Sequence, residues 1–184
     1  MDLTYKRQHA FKGLSQDELN KIFDYNEGYK KFLDNGKTER ETVAETIEMA
    51  KANGYKEYTL GNKIEKGDKL YYNNRSKNLF LFTIGNESIE NGIRISAAHI
   101  DSPRIDLKPC PLYEDGSLAF FKTHYYGGIR KYQWLALPLA LHGVVITKDL
   151  KTVNICIGED DSDPIFYITD LLPHLGREQS KLSL

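Results

Sequence analysis

A histidine and an aspartate two residues apart are the side chains of this sequence best suited to chemistry. His99 and Asp101 follow an apolar run, residues 93–98, and precede Pro103. Such a run predicts a strand buried on both faces, and a proline ends the ladder because it has no N–H to donate. In an extended backbone, residues i and i+2 project to the same face. The imidazole and the carboxylate would therefore point together from the end of a strand.

This pair fits a metal-binding histidine whose ring is oriented by the neighbouring acid. A metal-ligating imidazole must be neutral, and its second ring nitrogen is held by a carboxylate or a carbonyl. The pair also fits a polar turn at a strand end, in which Asp101 caps backbone N–H groups. A single His-x-Asp pattern leaves both interpretations open.

Length, charge and cysteine content limit the class of protein. The 184 residues include 25 basic and 26 acidic ones, and 40% are apolar. This charge balance argues against binding to nucleic acid or to an anionic membrane, and no apolar run approaches the ~20 residues that a bilayer crossing needs. Residues 1–7 lack the apolar segment of a secretory signal. Cys110 and Cys156 are too few for a disulfide framework, so we expect a cytoplasmic protein in which both are small buried residues.

Two helices are predicted to precede the first strands. Ser15 and Glu18 form a capping-box pattern, and Thr38 is the predicted N-cap of a second helix. The apolar stripes of both helices are expected to face the core. The period then changes to two, and residues 70–72 and 79–84 are predicted to be strands around a turn. Helices followed by apolar strands suggest a sheet covered by helices.

The second half of the chain is predicted to be mainly β-structure. Residues 109–111, a Pro-Cys-Pro segment, are interpreted as a connector. Strands are expected at 118–123 and 153–157, with bent strands between Trp134 and Ile146.

Three further segments have other expected roles. The glycine turn at 125–129 would let backbone approach another group closely. The acidic segment 159–163 is interpreted as a solvated loop rather than a cation site. Thr169 would cap a short apolar helix that carries His174.

Three ordered motifs resemble one family of enzymes. Residues 97–103 (AAHIDSP), followed by 107–109 (LKP), resemble the first metal-ligand motif of the aspartyl aminopeptidase and vacuolar aminopeptidase I family of zinc metallopeptidases. Residues 126–129 (YGGI) with 139–143 (LALHG), and residues 168–175, resemble later segments of the same family in the same order. The resemblance covers nearly the whole chain.

The resemblance implies an α/β fold and a role for each candidate residue. Residues 1–109 would be the N-terminal part of a zinc exopeptidase domain with a helix-covered mixed sheet, and 110–184 the start of an inserted β-rich dimerisation domain. His99 would be a ligand to one of two zinc ions, and Asp101 would orient or polarise that histidine. His174 would reach the active site of the partner subunit and stabilise the tetrahedral intermediate.

The implied function is a zinc-dependent aminopeptidase that releases N-terminal residues from peptides by metal-activated water, as a homodimer or higher homo-oligomer. The remaining ligands of the family include a Glu-Glu pair that this sequence lacks, and the sequence ends ten residues after His174. We therefore expect the front part of such an enzyme, inactive alone.

Other interpretations remain open beside this one. The first is a non-catalytic oligomerisation or interaction module derived from the same fold. The second is a peptide- or carbohydrate-binding β module, suggested by Trp134 and the tyrosines. Recognition of an acidic N-terminal residue would need a basic group, for which Lys122, Arg130 and Lys131 are candidates because they lie near the glycine turn.

Overall fold

Two helices and a three-stranded sheet form the first of the two units into which the chain divides, Met1–Ile100 and Asp101–Leu184. The computed structural model describes residues 4–5, 7–178 and 181, so part of the N-terminal segment 1–7 lies outside the described residues. Among the described residues, no helix combines the length and the apolar character that a membrane crossing requires.

Both predicted helix starts are confirmed. Helix α1 spans Gln16–Asn35 and helix α2 spans Glu39–Ala52. The Ser15 hydroxyl accepts a hydrogen bond from the backbone N–H of Glu18, and the Glu18 carboxylate accepts one from the N–H of Ser15 at 2.8 Å. Thr38 and Glu41 form the same reciprocal pair at the start of α2. Each box satisfies donors that the first turn of a helix leaves without partners.

Ser15→Ala is expected to lower the free energy of unfolding by about 1 kcal/mol at neutral pH, since it removes the N-cap acceptor. Hydrogen bonds from the backbone and hydroxyl of Ser15 hold the pKa of the Glu18 carboxyl below its ordinary value. A lowered folded-state pKa contributes stability above the unfolded-state pKa and loses it as pH falls through the folded-state value. The difference between wild type and Ser15→Ala should therefore shrink in acid. Urea unfolding followed by circular dichroism tests this, with Glu18→Gln as the uncharged companion.

The core of the first unit lies between α2 and the sheet. Strand β1 (Lys56–Glu57) runs parallel to β2 (Lys69–Asn74), and β3 (Asn78–Thr83) pairs antiparallel with β2, as the alternating pattern predicted. Helix α2 packs on β2 and β3. The buried side chains of this layer are Val43, at 1% exposure, with Thr42, Ala50 and Tyr71. A mixed sheet under a helix is the predicted class of fold.

One expectation for the first unit is met only in part, and another is wrong. In the apolar stripe of α1, Leu19, Ile22 and Phe32 are half-buried, whereas Phe23 and Leu33 are exposed, and no residue of this helix is fully buried. Residues 93–98 do not form a strand, and Ile93 and Ile95 are 63% and 78% exposed. An apolar run becomes a strand only where a neighbour completes its ladder, and none of the described strands pairs with this run.

The second unit contains two antiparallel hairpins. Strand β4 (Arg104–Asp115) pairs with β5 (Leu118–Tyr126), and β6 (Leu141–Ile146) pairs with β7 (Thr152–Ile157). Isolated bridges join Leu139 to Phe166 and Leu135 to Ile168. The predicted strands at 118–123 and 153–157 are confirmed, whereas the bent strands expected from Trp134 onward are reduced to β6 and these bridges.

The expected connector at 109–111 lies inside β4 instead. The register of the β4–β5 pair shifts between Leu107 and Leu112, and Cys110 has φ +52°. Prolines cannot donate to a ladder, so the strand accommodates them by an irregularity rather than by ending. Cys110 and Cys156 are both exposed, which makes their expected burial wrong. The domain boundary proposed after Pro109 stays a prediction.

Candidate functional site

His99 lies at the end of the first unit, in a segment that forms neither helix nor strand. This segment follows the short 3₁₀ helix Ile89–Asn91 and continues through Pro103. The imidazole is exposed, whereas Ile100 beside it is half-buried. The predicted setting, the end of a buried strand, is therefore wrong for His99, but its side chain stands where solvent and solutes can reach it.

Asp101 begins the second unit and is tied to the last residue of β5. The hydroxyl of Tyr126 donates a hydrogen bond to Oδ2 of Asp101 at 3.1 Å. Asp101 is half-buried, so this contact is partly shielded from water. Tyr126, on the strand that pairs with β4, is therefore a fixed neighbour of the carboxylate.

Arg104 makes a cation–π contact with the ring of Tyr126. Its guanidinium carbon lies 4.0 Å from the centre of that ring, and the two residues are register partners in the β4–β5 pair. The Nε atom of Arg104 donates to Oδ1 of Asp106 at 2.7 Å. Cation–π contact of this kind is strongest when the cation is partly desolvated, and the Arg104 side chain is half-buried.

The predicted glycine turn makes the close approach expected of it. Gly127 has φ +77°, and a Cβ atom placed on it would lie 3.4 Å from Cα of Pro103. The backbone after Tyr126 thus packs directly on the backbone that leads from Asp101 into β4. A side chain at position 127 would be strained by its positive φ, although its Cβ would make only ordinary van der Waals contact with Pro103.

His174 lies in a turn rather than in the expected helix. The turn at 173–175 is closed by backbone N–H groups of Leu175 and Gly176, which donate to the carbonyl of Leu172. Asp170 accepts a hydrogen bond from the N–H of Leu171. The backbone before Pro173 is biased away from helix, which explains why the predicted helix is replaced by a turn. His174 itself is exposed.

The acidic segment 159–163 is a loop in which carboxylates accept hydrogen bonds from nearby backbone N–H groups. Asp163 accepts a hydrogen bond from the N–H of Gly158, and Asp160 accepts bonds from the N–H and hydroxyl of Ser162. The backbone N–H of Ser162 holds the pKa of the Asp160 carboxyl below its ordinary value. These carboxylates are used within the loop, in agreement with the interpretation as a solvated segment.

A histidine with the exposure of His99 suits zinc, which prefers imidazole nitrogen among its ligands. A catalytic zinc ion takes about three protein ligands. Within the part of the chain that the structure describes, no group of three or more His, Cys, Asp or Glu side chains is placed to hold a metal ion. Zinc bound at His99 would therefore need further ligands from elsewhere.

Sequence reasoning missed the contact of Tyr126 with Asp101 and the contact of Arg104 with Tyr126. The missing signal was register, since the pairing of residues 104 and 126 follows from the hairpin turn and the irregularity at 108–111 together. The sequence marked Tyr126 only as part of the glycine turn.

Comparison with known proteins gives consistent matches along the chain. Residues 32–184 match the family described as "Aminopeptidase I zinc metalloprotease (M18)". A probable M18 family aminopeptidase 1 from Clostridium acetobutylicum is 48% identical over 182 residues, which are 97% of this chain and 39% of that protein.

Solved structures give the same result for the fold. The crystal structure of aminopeptidase I from Clostridium acetobutylicum is similar with a TM-score of 0.84 at 48% identity, covering 98% of this chain and 40% of that one. An M18 family aminopeptidase from Thermotoga maritima gives a TM-score of 0.87 at 38% identity, covering 97% of this chain and 39% of that one. The chain thus spans about two fifths of the length of these relatives.

Proposed function

Because the chain belongs to the aminopeptidase I zinc metalloprotease (M18) family, we propose that it forms part of a zinc-dependent aminopeptidase. The reaction is the release of N-terminal residues from peptides by zinc-activated water. The observation that carries this proposal is the family match over residues 32–184, a range that includes His99, Asp101 and His174. Two zinc ions in the complete enzyme are part of the proposal.

His99 and Asp101 are proposed to act as ligand and orienting acid. The exposure of His99 supports the first role, because a ligand shared with other parts of an enzyme must be reachable. The contact between Asp101 and Tyr126 supports the second, because an acid that orients another group must itself be fixed. Zinc would supply Lewis-acid polarisation and a bound hydroxide at neutral pH.

His174 is proposed to donate a hydrogen bond to the oxyanion of the tetrahedral intermediate in a partner subunit. Such a donor has to project from its own subunit, and the exposed turn at 173–175 is compatible with this. The role needs an assembled homodimer or higher homo-oligomer.

Assembly is supported by exposed apolar side chains on the β4–β5 hairpin. Leu112 and Phe121 are register partners in this hairpin and are 65% and 39% exposed. Leu107, Leu118 and Tyr125 of the same hairpin are exposed as well, and exposed apolar patches, unlike single exposed residues, mark surfaces that another protein covers. The same observation favours the alternative function, a non-catalytic oligomerisation or interaction module.

The remaining assignments are also proposals. The substrates would be peptides, and the low cysteine content favours a reducing compartment such as the cytoplasm. Residues 1–109 would belong to the catalytic domain and residues 110–184 to the dimerisation domain. A preference for acidic N-terminal residues would require Lys122, Arg130 or Lys131 to line the first pocket.

Reconstitution tests the function directly. The 184-residue chain is mixed with zinc and with the separately produced remainder of the Clostridium acetobutylicum relative, which this chain does not match. We expect the mixture to release N-terminal residues from short peptides, because it would bring His99 together with the ligands from elsewhere. Each part alone should be inactive, and chelation of zinc should abolish the activity.

The alternatives give different results in this assay. A stable complex of the two parts without hydrolysis would favour the interaction module. Hydrolysis by the 184-residue chain alone would contradict its expected inactivity. The release of N-terminal residues is measured by chromatography of the products, with acidic and neutral N-terminal residues compared in parallel.

A further inference from the structure

We propose that Tyr126 is a positioning residue for Asp101 and that Arg104 fixes Tyr126 in turn. The first step is the hydrogen bond from the Tyr126 hydroxyl to Oδ2 of Asp101, at 3.1 Å. This inference rests on the proposed function, in which Asp101 orients a zinc ligand. It adds two residues that lie outside the His-x-Asp motif and are proposed to act through the acid.

Tyr126 is held in place by more than its own hydroxyl. The Arg104 guanidinium stacks 4.0 Å from the ring centre, and a 2.7 Å bond from Nε of Arg104 to Asp106 fixes the guanidinium. The Arg104 and Asp106 side chains are both half-buried, at 25% and 31% exposure. Partial burial strengthens charge-assisted contacts of this kind. These contacts fix the position of the ring and therefore the position of the hydroxyl that donates to Asp101.

The backbone on both sides of these side chains is also joined. Residues 104 and 126 are register partners at the open end of the β4–β5 hairpin. One residue beyond this pair on each segment, Gly127 lies against Pro103, and its φ of +77° is a conformation that a side chain would strain. Asp101 lies two residues before this contact, so the hairpin anchors the short segment that carries the carboxylate.

The consequence concerns the direction of the carboxylate. An ionised aspartate has two oxygens with about four lone-pair positions, and the torsion that rotates them has a broad energy profile. A hydrogen bond to Oδ2 selects one orientation and thereby sets the direction of Oδ1. A positioned acceptor is what an acid needs in order to orient an imidazole.

Two measurements test the inference, the first on the 184-residue chain and the second on the enzyme reconstituted as above. Carboxyl ¹³C NMR of the chain reports directly on Asp101, and a zinc titration of the reconstituted enzyme, followed by the imidazole signal of His99, reports metal affinity. We expect Tyr126→Phe to shift the Asp101 signal and to weaken zinc binding by roughly tenfold, at the low end of the loss caused by removing an outer partner of a ligand. Arg104→Met should act in the same direction with a smaller effect.

Tyr113→Phe is the matched control, because Tyr113 is in the same hairpin, stacks on Phe120 and has Lys122 over its ring. This variant should leave both readouts unchanged. An unmoved Asp101 signal in Tyr126→Phe would overturn the inference. A moved signal with unchanged zinc affinity would also overturn it, while leaving the proposed function intact. If zinc does not perturb His99 in the reconstituted wild-type enzyme, the proposed zinc role fails, and the inference fails with it.

Discussion

Replacing His99 by alanine is expected to remove one of the two proposed zinc ions, and with it the hydrolytic activity, from the reconstituted enzyme. A catalytic zinc ion has about three protein ligands, so losing one imidazole removes a large part of its binding free energy. Losing only an outer partner of a ligand costs about 10–100-fold in affinity or activity, so the loss of the ligand itself should exceed roughly a hundredfold. Zinc content is measured by mass spectrometry of the purified complex, and activity by release of N-terminal residues.

His9→Ala is the matched control for this variant. His9 lies in the same unit of the chain, is exposed, and falls outside the region that matches the family. Its ring contacts that of Phe11 in a tilted arrangement, with the ring centres 5.4 Å apart, and its Nδ1 accepts a hydrogen bond from the N–H of Phe11. This variant should retain both zinc and activity. Unchanged metal content and rate in His99→Ala would remove His99 from the site.

Gly158→Ala is expected to destabilise the second unit by about 3 kcal/mol, which adds backbone strain to overpacking. Gly158 has φ +104°, a conformation that side chains rarely adopt. A Cβ atom there would lie 3.0 Å from Cα of Ala140 and 3.3 Å from the carbonyl oxygen of Leu139. Both neighbours are backbone atoms, and Leu139 is bridged to Phe166, so they cannot move away cheaply.

Gly143→Ala provides the control because it makes the same chemical change on strand β6. The space around Gly143 is open, with no heavy atom within 4 Å of an added Cβ apart from its chain neighbours. Urea unfolding of the two variants should give a large loss for position 158 and a change within about 0.5 kcal/mol for position 143. A loss below about 1 kcal/mol for Gly158→Ala would show that this backbone relaxes freely.

Local signals in the sequence predicted the parts of the fold that depend on neighbours in the chain. The capping residues Ser15 and Thr38 set both helix starts, because a side chain three residues from its partner needs no tertiary contact. The turn between β2 and β3 is equally local, and Arg75 and Ser76 adopt positive φ angles in the three-residue loop that joins Asn74 to Asn78.

Features that depend on distant partners could not be predicted in this way. Residues 93–98 have the composition of a buried strand, yet burial requires another strand or helix to cover them. The apolar stripe of α1 is only partly covered for the same reason. The hydrophobic pattern indicates which side chains of a segment could be buried, whereas the neighbouring elements determine whether they are buried.

The residues of the candidate site show the same difference between local and distant signals. The His-x-Asp spacing marked His99 and Asp101, and the family resemblance, which also depends on short motifs, implied roles for them and for His174. The contact of Tyr126 with Asp101 joins residues 25 positions apart. It depends on the register of a long hairpin with an irregularity, which no local pattern specifies.

That irregularity in β4 also bears on solubility. A long two-stranded ribbon offers free backbone donors and acceptors along its edges, on which other chains can build an intermolecular sheet. Pro109 and Pro111 remove two donors from the middle of β4, and the left-handed residue between them, Cys110, interrupts the flat edge. This irregularity should therefore hinder the addition of further strands to the edge of the ribbon.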